Sequence, residues 1–213
     1  MHKKEINLAL IAAREGSKGV KNKNLLNIKN KPITKIAVDI ATKLKKIDNV
    51  ILSSDSKKIL NTVPNCEKLI KLKRKKKLSQ DSTPMMPVMQ DAIKNFEKFF
   101  KYKYQVKNLV IIDQTSPLRN SSDINKAIAL FKKKKPDLLV SVHEAQHNPY
   151  FSIVEKKGKF YKLIKLLRKE PGSRQSAPTC FEVNTIVWIY SRRAIMKIGK
   201  RIPNKTIVYK TPK

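Results

Sequence analysis

Short apolar runs that alternate with helical patterns constrain this sequence most. The runs "INLALIAA", "NVILSS", "NLVIID" and "DLLVSV" each have the length of a buried strand. Apolar residues recur at helical spacing between them, first after Pro32, then from about Pro84, and then after "QTSPLRNSSD". Strands that alternate with helices indicate an α/β fold with a mostly parallel sheet covered by helices.

The pattern changes after "DLLVSV". The segment "PYFSIVEKKGKFYKLIK" is typical of a projecting hairpin that turns at Lys157 and Gly158, and "NTIVWIY" predicts a late strand that rejoins the sheet. The stretch "KLIKLKRKKKLSQ" is interpreted as a basic connector. With 213 residues and 40% hydrophobic content, we expect one domain over 1–213.

The formal net charge of +32 predicts attraction to polyanions, which include nucleic acids, anionic lipids and phosphorylated ligands. Lysine is spread over most of the chain, so a general compositional bias explains this charge as well as function does. Cys66 and Cys180 have no metal-ligand spacing, and the apolar run at residues 6–13 is too short to span a bilayer. We therefore expect a cytoplasmic protein with no membrane partner.

In open α/β sheets, ligands bind beyond the carboxyl ends of the strands. This rule gathers the segments that follow the strands at one rim, namely residues 14–24, 54–55, 113–119 and 143–150. The first of them, "REGSKGVKNKN", combines glycines with lysines and an arginine, so its backbone N–H groups and cations suit phosphate oxygens. It contains neither a Walker loop nor GxGxxG, and a solvated turn with incidental lysines remains the alternative.

Five motifs in fixed order carry a family resemblance. The segments "IAAREGSKGVKNKN", "ILSSDS", "QTSPLR", "HNPYF" and "RQSAP" followed by "NTIVWIY" resemble the acylneuraminate cytidylyltransferases, or CMP-sialic acid synthetases. The resemblance covers about residues 6–190 and is strongest to the branch that activates legionaminic acid. It implies a Rossmann-like nucleotidyltransferase fold. It also implies a homodimer that forms through a hairpin insertion at about residues 147–183.

The implied reaction transfers CMP from CTP to a nine-carbon keto-sugar acid (a nonulosonate) and releases pyrophosphate. Attack on the α-phosphate requires in-line positioning and neutralisation of the departing pyrophosphate. The resemblance assigns catalytic roles in this step to Arg14, Lys18 and Lys23. It assigns nucleotide binding to Ser17 and Asn24. Arg74 falls where the family places an arginine near cytosine, although it is equally interpreted as one more charge in a solvated run.

On the acceptor side, a sugar carboxylate requires a cation, and Arg174 in "SRQSAP" is the candidate because guanidinium binds carboxylates bidentately. The other acceptor-binding candidates are Asp113, Thr115, Gln175 and Asn184. Asp113 stands where the sialic acid enzymes carry glutamine, and its carboxylate suits either Mg²⁺ or a sugar hydroxyl. Its alternative role is to cap the loop that follows.

The family continues into a DIDxxxD segment that binds the catalytic metal, whereas this sequence ends at "TIVYKTPK". Two hypotheses follow. In the first, Mg²⁺ is bound through Asp113 and the nucleotide alone. In the second, the protein is a truncated, nucleotide-binding homologue with impaired turnover. A nucleic-acid-binding protein is a third interpretation, but no aromatic residues interleave with "KLKRKKK", so no specific nucleic-acid partner is expected.

Overall fold

The computed structural model describes residues 3–16, 20 and 22–211. Its helices are α1 (Ile33–Lys43), α2 (Lys57–Asn61), α3 (Met85–Phe99) and α4 (Ser121–Lys134). Its strands are β1 (Lys4–Ala12), β2 (Asn27–Ile28), β3 (Lys31–Pro32), β4 (Asn49–Ser54), β5 (Leu69–Lys73), β6 (Tyr104–Ile111), β7 (Leu138–Glu144), β8 (Val154–Lys157), β9 (Phe160–Leu163), β10 (Phe181–Ser191) and β11 (Thr206–Lys210).

A seven-stranded sheet forms the centre of the described chain, in the order β11-β7-β10-β6-β1-β4-β5. Strand β10 runs antiparallel to both of its neighbours, and every other pairing in this sheet is parallel. The mostly parallel α/β sheet expected from the sequence is therefore confirmed. The hairpin β8–β9 forms a separate two-stranded sheet that does not join the central one.

The core lies on both faces of the sheet, because successive residues of a strand point to opposite faces. In β1, Ala9 and Ile11 pack with α1, α2 and α4 on one face. Leu8 and Leu10 pack with α3 on the other face. Fully buried strands of this kind have apolar residues on both faces, which explains why "INLALIAA" is a continuous apolar run.

The sequence interpretation was wrong at "KLIKLKRKKKLSQ". This stretch is not simply a connector, because it contains the edge strand β5, which pairs in parallel with β4. Its lysines fit an edge position, since charged side chains discourage a sheet edge from pairing with another chain. The other edge strand, β11, was not predicted either.

The projecting hairpin was predicted correctly, but its turn comes one residue later than expected. Lys157 pairs with Phe160, so the turn residues are Gly158 and Lys159. Gly158 has a φ of 65°, a left-handed conformation that glycine adopts at little cost.

Strand β10 contains a large bulge at the end of the sheet where β6 and β7 finish. Its register against β7 moves from Val183 opposite Val142 to Trp188 opposite Val140. Five steps along β10 therefore match two steps along β7. Bulges next to a site re-aim side chains, and this one turns Thr185 towards the loop that follows β6.

Candidate active site

The carboxyl ends of β1, β4 and β6 lie side by side in the sheet, which brings together the loops that follow them. Arg14 follows β1, Asp55 follows β4, and Asp113 follows β6. The backbone N–H of Glu15 donates to Asp55 Oδ1 at 3.0 Å, so the first two of these loops are in direct contact. The shared rim expected from the sequence is confirmed for these segments.

The first loop presents cations at this rim. Arg14 pairs with Asp81 from the loop before α3, and both side chains are about one-third exposed. Gly16 has a φ of 77°, which turns the chain sharply after Glu15. Lys23 is half-buried at the start of a short 3₁₀ helix. The predicted residues Ser17 and Lys18 lie outside the described residues.

Asn24 is 3% exposed and forms the buried base of the first loop. Its Nδ2 donates to the Arg14 carbonyl oxygen at 2.7 Å, and its own carbonyl oxygen accepts from Thr34 Oγ1 at 2.7 Å. Its Oδ1 accepts from Gln114 Nε2 at 2.7 Å. These bonds fix the Asn24 amide at the floor of the loop.

Gln114 is a site residue that the sequence interpretation missed. It is 5% exposed, and its Nε2 also donates to the Ala12 carbonyl oxygen at 3.3 Å. Its Oε1 is buried and accepts no hydrogen bond from the described residues. The position of Gln114 directly after Asp113, at the carboxyl end of a strand, was the available signal.

Arg74 is buried rather than solvated. It is 5% exposed, and its Nε donates to Ser79 Oγ at 3.0 Å. Burial lowers the pKa of the Arg74 guanidinium, while nearby Asp55 acts to raise it. The interpretation of Arg74 as one more charge in a solvated run is therefore wrong. One of its terminal nitrogens, Nη2, is buried without a hydrogen-bond partner among the described residues.

Asp113 caps its own loop through one carboxylate oxygen. Its Oδ1 accepts from the Thr115 N–H at 2.8 Å and from Thr115 Oγ1 at 2.7 Å. The hydroxyl of Thr185, from the β10 bulge, lies 3.4 Å from Thr115 Oγ1 and 2.7 Å from Ser116 Oγ. Asp113 and Thr115 are therefore brought together with the hydroxyl groups of Ser116 and Thr185, of which Thr185 was not predicted.

Arg119 braces this loop. Its side chain donates to the carbonyl oxygens of Ser116, Asp113 and Thr185. Burial lowers the pKa of Arg119 to about 10, with Asp113 opposing that shift. The guanidinium therefore stays charged at neutral pH, where it ties the β6 loop to the β10 bulge.

Arg174 and Gln175 line a separate cleft of about 310 Å³ between the end of β7 and the start of β10. Arg174 Nη2 donates to the Gln146 carbonyl oxygen at 2.6 Å. The Gln146 N–H in turn donates to Glu182 Oε1 at 3.2 Å. The cleft is also lined by Glu144 and Asn148, so the predicted carboxylate-binding cation has a carboxylate beside it.

Asn184 holds the β10 bulge in place. Its Oδ1 accepts from Ser141 Oγ and from the Ile186 N–H, and its Nδ2 donates to Thr211 Oγ1 at 2.9 Å. Both ends of the amide are therefore occupied by protein. The expectation that Asn184 binds the sugar stays a prediction.

The chemistry of the rim fits a magnesium ion only in part. Among the described residues, no group of three or more His, Cys, Asp or Glu side chains is placed to hold a metal ion. Asp113 Oδ2, however, accepts no hydrogen bond from those residues. Magnesium often binds one or two carboxylates and completes its shell with substrate phosphates and water. The single available carboxylate oxygen of Asp113 meets that minimum.

Fold and site together define a Rossmann-like nucleotidyltransferase, with a basic loop after the first strand and polar groups after the central one. A family model described as cytidylyltransferase matches residues 8–208, and the chain belongs to that family. The protein is therefore an enzyme of the nucleotidyltransferase class. In the described part of the chain, no helix is both long enough and apolar enough to cross a membrane.

Curated relatives support the predicted branch of the family. The chain is 33% identical over 190 residues to a CMP-N,N'-diacetyllegionaminic acid synthase of Campylobacter jejuni, covering 89% of this chain and 79% of the relative. It is 32% identical, with the same coverage, to the post-translational flagellin modification protein B of Campylobacter coli. An N-acylneuraminate cytidylyltransferase of Streptococcus agalactiae is 24% identical over 209 residues, which cover 97% of this chain and 48% of that protein. The resemblance to the legionaminic acid branch is thus confirmed.

Solved structures show the same fold at low identity. A CMP:2-keto-3-deoxy-manno-octonic acid synthetase complexed with CTP superposes with a TM-score of 0.66 at 11% identity, covering 97% of this chain and 90% of that one. A 4-diphosphocytidyl-2C-methyl-D-erythritol synthase gives a TM-score of 0.59 at 10% identity, covering 98% and 90%.

Proposed function

We propose that this protein transfers CMP from CTP to a nine-carbon keto-sugar acid and releases pyrophosphate. The observation that carries the proposal is the rim where the basic first loop and the Asp113 loop meet, in a chain of the cytidylyltransferase family. The names of its relatives support an acceptor of the legionaminic or sialic acid type.

The nucleotide half of the site is the first loop. Arg14 and Lys23 bring positive charge to the triphosphate, where neutralising the departing pyrophosphate lowers the barrier. The resemblance gives the same task to Lys18 and a phosphate contact to Ser17. Asn24 holds the loop floor, and the resemblance places the buried Arg74 near the cytosine base.

If the triphosphate takes the edge of the Arg14 guanidinium that pairs with Asp81, this ion pair must open, because one edge cannot hold the carboxylate and a phosphate together. A partly exposed ion pair of this kind is worth only about 0–1 kcal/mol. Breaking this ion pair to bind the triphosphate therefore weakens nucleotide binding only slightly.

The acceptor half extends from Asp113 and Thr115 to the cleft of Arg174 and Gln175. Arg174 pairs with the sugar carboxylate, and Gln175 hydrogen-bonds a hydroxyl or acetamido group. Asn184 supports this half, because its amide holds strand β10, which connects the Asp113 loop and the Arg174 cleft.

Mg²⁺ is the proposed cofactor, held by Asp113 Oδ2 with oxygens of the nucleotide. When bound, it neutralises phosphate charge and orients the triphosphate. The protein's own contribution is to keep that oxygen available, because Thr115 bonds only to Oδ1.

A homodimer is proposed through the hairpin insertion at about residues 147–183. Several large apolar side chains there are exposed, among them Phe160 at 74% and Leu166 at 70%. Exposed apolar patches of this kind mark interaction sites, and the resemblance supports a second copy of this chain as the partner.

The reaction is tested by measuring pyrophosphate release in the presence of Mg²⁺. CTP, ATP, GTP and UTP are compared first, each with legionaminic, sialic, pseudaminic and Kdo-type acceptors. We expect release with CTP that depends on one class of nonulosonate and collapses in Arg14→Ala and Asp113→Ala. Release with another nucleotide, or equal release without any acceptor, would contradict the proposal.

A further inference from the structure

Glu144 is the last residue of β7, and it lines the same cleft as Arg174. Its side chain makes no hydrogen bond or ion pair with any other described residue, although the residue is exposed and a cation lies in the same cleft. The Arg174 guanidinium donates instead to the Gln146 carbonyl oxygen, at 2.6 Å. The cleft therefore holds a carboxylate and a cation at two separate places, and the two groups do not neutralise each other.

Two hydrogen bonds join the walls of this cleft. The Ala145 N–H donates to the Cys180 carbonyl oxygen at 3.0 Å, directly after Glu144 in the chain. Asn148 Nδ2 donates to the Pro178 carbonyl oxygen at 2.8 Å. The backbone that carries Glu144 is thereby fixed, as a site that recognises a ligand by hydrogen bonds requires. The volume of about 310 Å³ is at the small end of the range for ligand pockets, which suits a single sugar unit.

The carboxylate and the cation suit different groups of a ligand. An ionised carboxylate only accepts hydrogen bonds, and its two oxygens can accept from two donors at once. Hydroxyl groups and amide N–H groups of a sugar are such donors, and their bonds to an ionised group are stronger than bonds between neutral groups. A guanidinium only donates, and it suits the carboxylate of a sugar acid.

We infer that Glu144 is a specificity-determining residue that accepts hydrogen bonds from hydroxyl or amide N–H groups of the acceptor sugar. This inference rests on the proposed function. The cleft then contacts the acceptor at two points, with Arg174 on its carboxylate and Glu144 on its hydrogen-bond donors. A sugar acid that lacks a donor at the second point binds more weakly.

A purely electrostatic role for Glu144 would have the opposite effect. A negative charge in the cleft weakens the attraction between Arg174 and the sugar carboxylate, so its removal would strengthen acceptor binding. A hydrogen-bonding role predicts that removal of the carboxylate weakens acceptor binding. The direction of the change therefore separates the two roles.

The test measures pyrophosphate release with CTP and Mg²⁺ by the wild-type protein, Glu144→Ala and Glu144→Gln. Losing hydrogen bonds to an ionised group is expected to raise the acceptor KM about 10- to 100-fold in Glu144→Ala. Glu144→Gln keeps one acceptor oxygen, so it should raise this KM less, about 3- to 10-fold. The KM for CTP should stay within about twofold in both variants, because the cleft is separate from the first loop.

Glu67→Ala is the matched control. Glu67 is also an exposed glutamate, so the change in net charge is the same. It precedes β5 at the amino end of this parallel strand, whereas the candidate site lies at the carboxyl ends. This variant should leave the KM values for CTP and for the acceptor unchanged.

Acceptor analogues identify the donor that Glu144 binds. In each analogue, either one hydroxyl group is replaced by hydrogen or the amide nitrogen is methylated. The wild-type protein should have a raised KM for the analogue that lacks the donor to Glu144. Glu144→Ala should distinguish that analogue from the parent sugar about twofold or less, because the interaction is already lost.

An active wild-type protein whose acceptor KM is unchanged or lowered in Glu144→Ala would overturn this inference alone. An equal rise in Glu67→Ala would also overturn it, since net charge would then be the cause. The inference fails as well if Glu144→Ala distinguishes every analogue as strongly as the wild type does. A folded wild-type protein that is inactive with every acceptor would overturn the proposed function and this inference together.

Discussion

At the scale of single residues, Gln114 connects the two halves of the site. It follows Asp113 directly, and its amide reaches under the first loop to Asn24. Both partners of its Nε2 are acceptors, which fixes the orientation of the Gln114 amide. The Asn24 amide is oriented in turn, because its Nδ2 must donate to the Arg14 carbonyl oxygen. A residue of the loop after β6 thereby helps to set the shape of the first loop, for which we propose nucleotide binding.

Replacing Gln114 by leucine is expected to weaken CTP binding more than acceptor binding. The change leaves Asn24 Oδ1 buried and unpaired, a cost of about 1–3 kcal/mol that the loop can avoid only by shifting. Calorimetric titration should show a CTP Kd raised about 5- to 50-fold, with a lowered Tm.

Gln90→Leu is the control for this prediction. Gln90 Nε2 also makes a hydrogen bond to a backbone carbonyl oxygen, that of Ile195 at 2.9 Å, but it lies on α3. Gln90→Leu should lower the Tm without changing CTP binding. If both variants lose the same stability and bind CTP equally well, Gln114 has no positioning role.

The sequence indicated some of these residues and missed others for a physical reason. Arg14 and Asn24 belong to a motif, so their place at the rim was predictable. Gln114 and Thr185 also lie in motifs, "QTSPLR" and "NTIVWIY", but their contacts depend on the pairing of β6 with its neighbours and on a bulge in β10. Such contacts join residues about 70 to 90 positions apart, and local spacing carries no information about them.

At the scale of elements, β10 does most to shape the site. It is the antiparallel strand between β6 and β7, and its bulged first half carries Glu182, Asn184 and Thr185 to the rim. Its second half is regular and mostly buried, and near its end the Tyr190 hydroxyl donates to the Arg201 carbonyl oxygen at 2.7 Å. The regular half anchors the strand in the sheet, and the bulged half contributes side chains to the candidate site.

The anchoring role of Tyr190 predicts a pH dependence. Burial raises the pKa of Tyr190 from 10.0 to about 12. The unfolded state therefore loses this proton first, and stability falls as the pH rises from about 10 to about 12. Tyr190→Phe lacks that proton, and at neutral pH it should be less stable by about 1 kcal/mol through the lost hydrogen bond.

The measurement is urea unfolding of both proteins at about pH 8 and about pH 11, on either side of the ordinary tyrosine pKa. Comparing the two proteins cancels the titration of the many lysines. The stability advantage of the wild type should shrink at the higher pH. An advantage that is equal at both values would contradict the raised pKa.

Elements were predictable from the sequence where periodicity was clear. Strand β4 and the helices α1 and α4 follow their apolar patterns closely. Strand β5 was missed because the lysines that suit a sheet edge also resemble a basic linker. Strand β11 was missed because a five-residue edge strand has little pattern of its own.

At the scale of the whole molecule, the excess of 48 basic over 16 acidic residues gives a positive charge that attracts any polyanion. Non-specific binding of this kind comes from counterion release and falls steeply with salt. A specific nucleotide-binding site adds short-range contacts, which salt screens less than it screens attraction between exposed charges. The two can therefore be separated in one experiment.

Raising NaCl from about 0.05 M to about 0.3 M should weaken duplex DNA binding by about 10³-fold or more, and CTP binding by about tenfold or less. Arg14→Ala should lose CTP binding and keep the DNA background, since it removes one of many surface charges. Parallel loss of both ligands with salt would show that CTP is held only as a polyanion.

The hairpin should control the oligomeric state. Phe160→Glu places a charge in the proposed dimer contact, and sedimentation should show a shift from dimer to monomer. Phe99→Glu is the matched control, because Phe99 is 67% exposed at the end of α3. A wild-type protein that is monomeric at about 100 μM, or equal behaviour of the two variants, would contradict the dimer.

The proposed transfer of CMP can be followed through the phosphorus atoms of CTP. The protein is incubated with Mg²⁺ and the preferred nonulosonate, together with CTP labelled either at the α- or at the γ-phosphorus. We expect the α-label to move to the sugar and the γ-label to leave as pyrophosphate. Transfer of the γ-label to the sugar, or no transfer by folded protein, would contradict a cytidylyltransferase reaction.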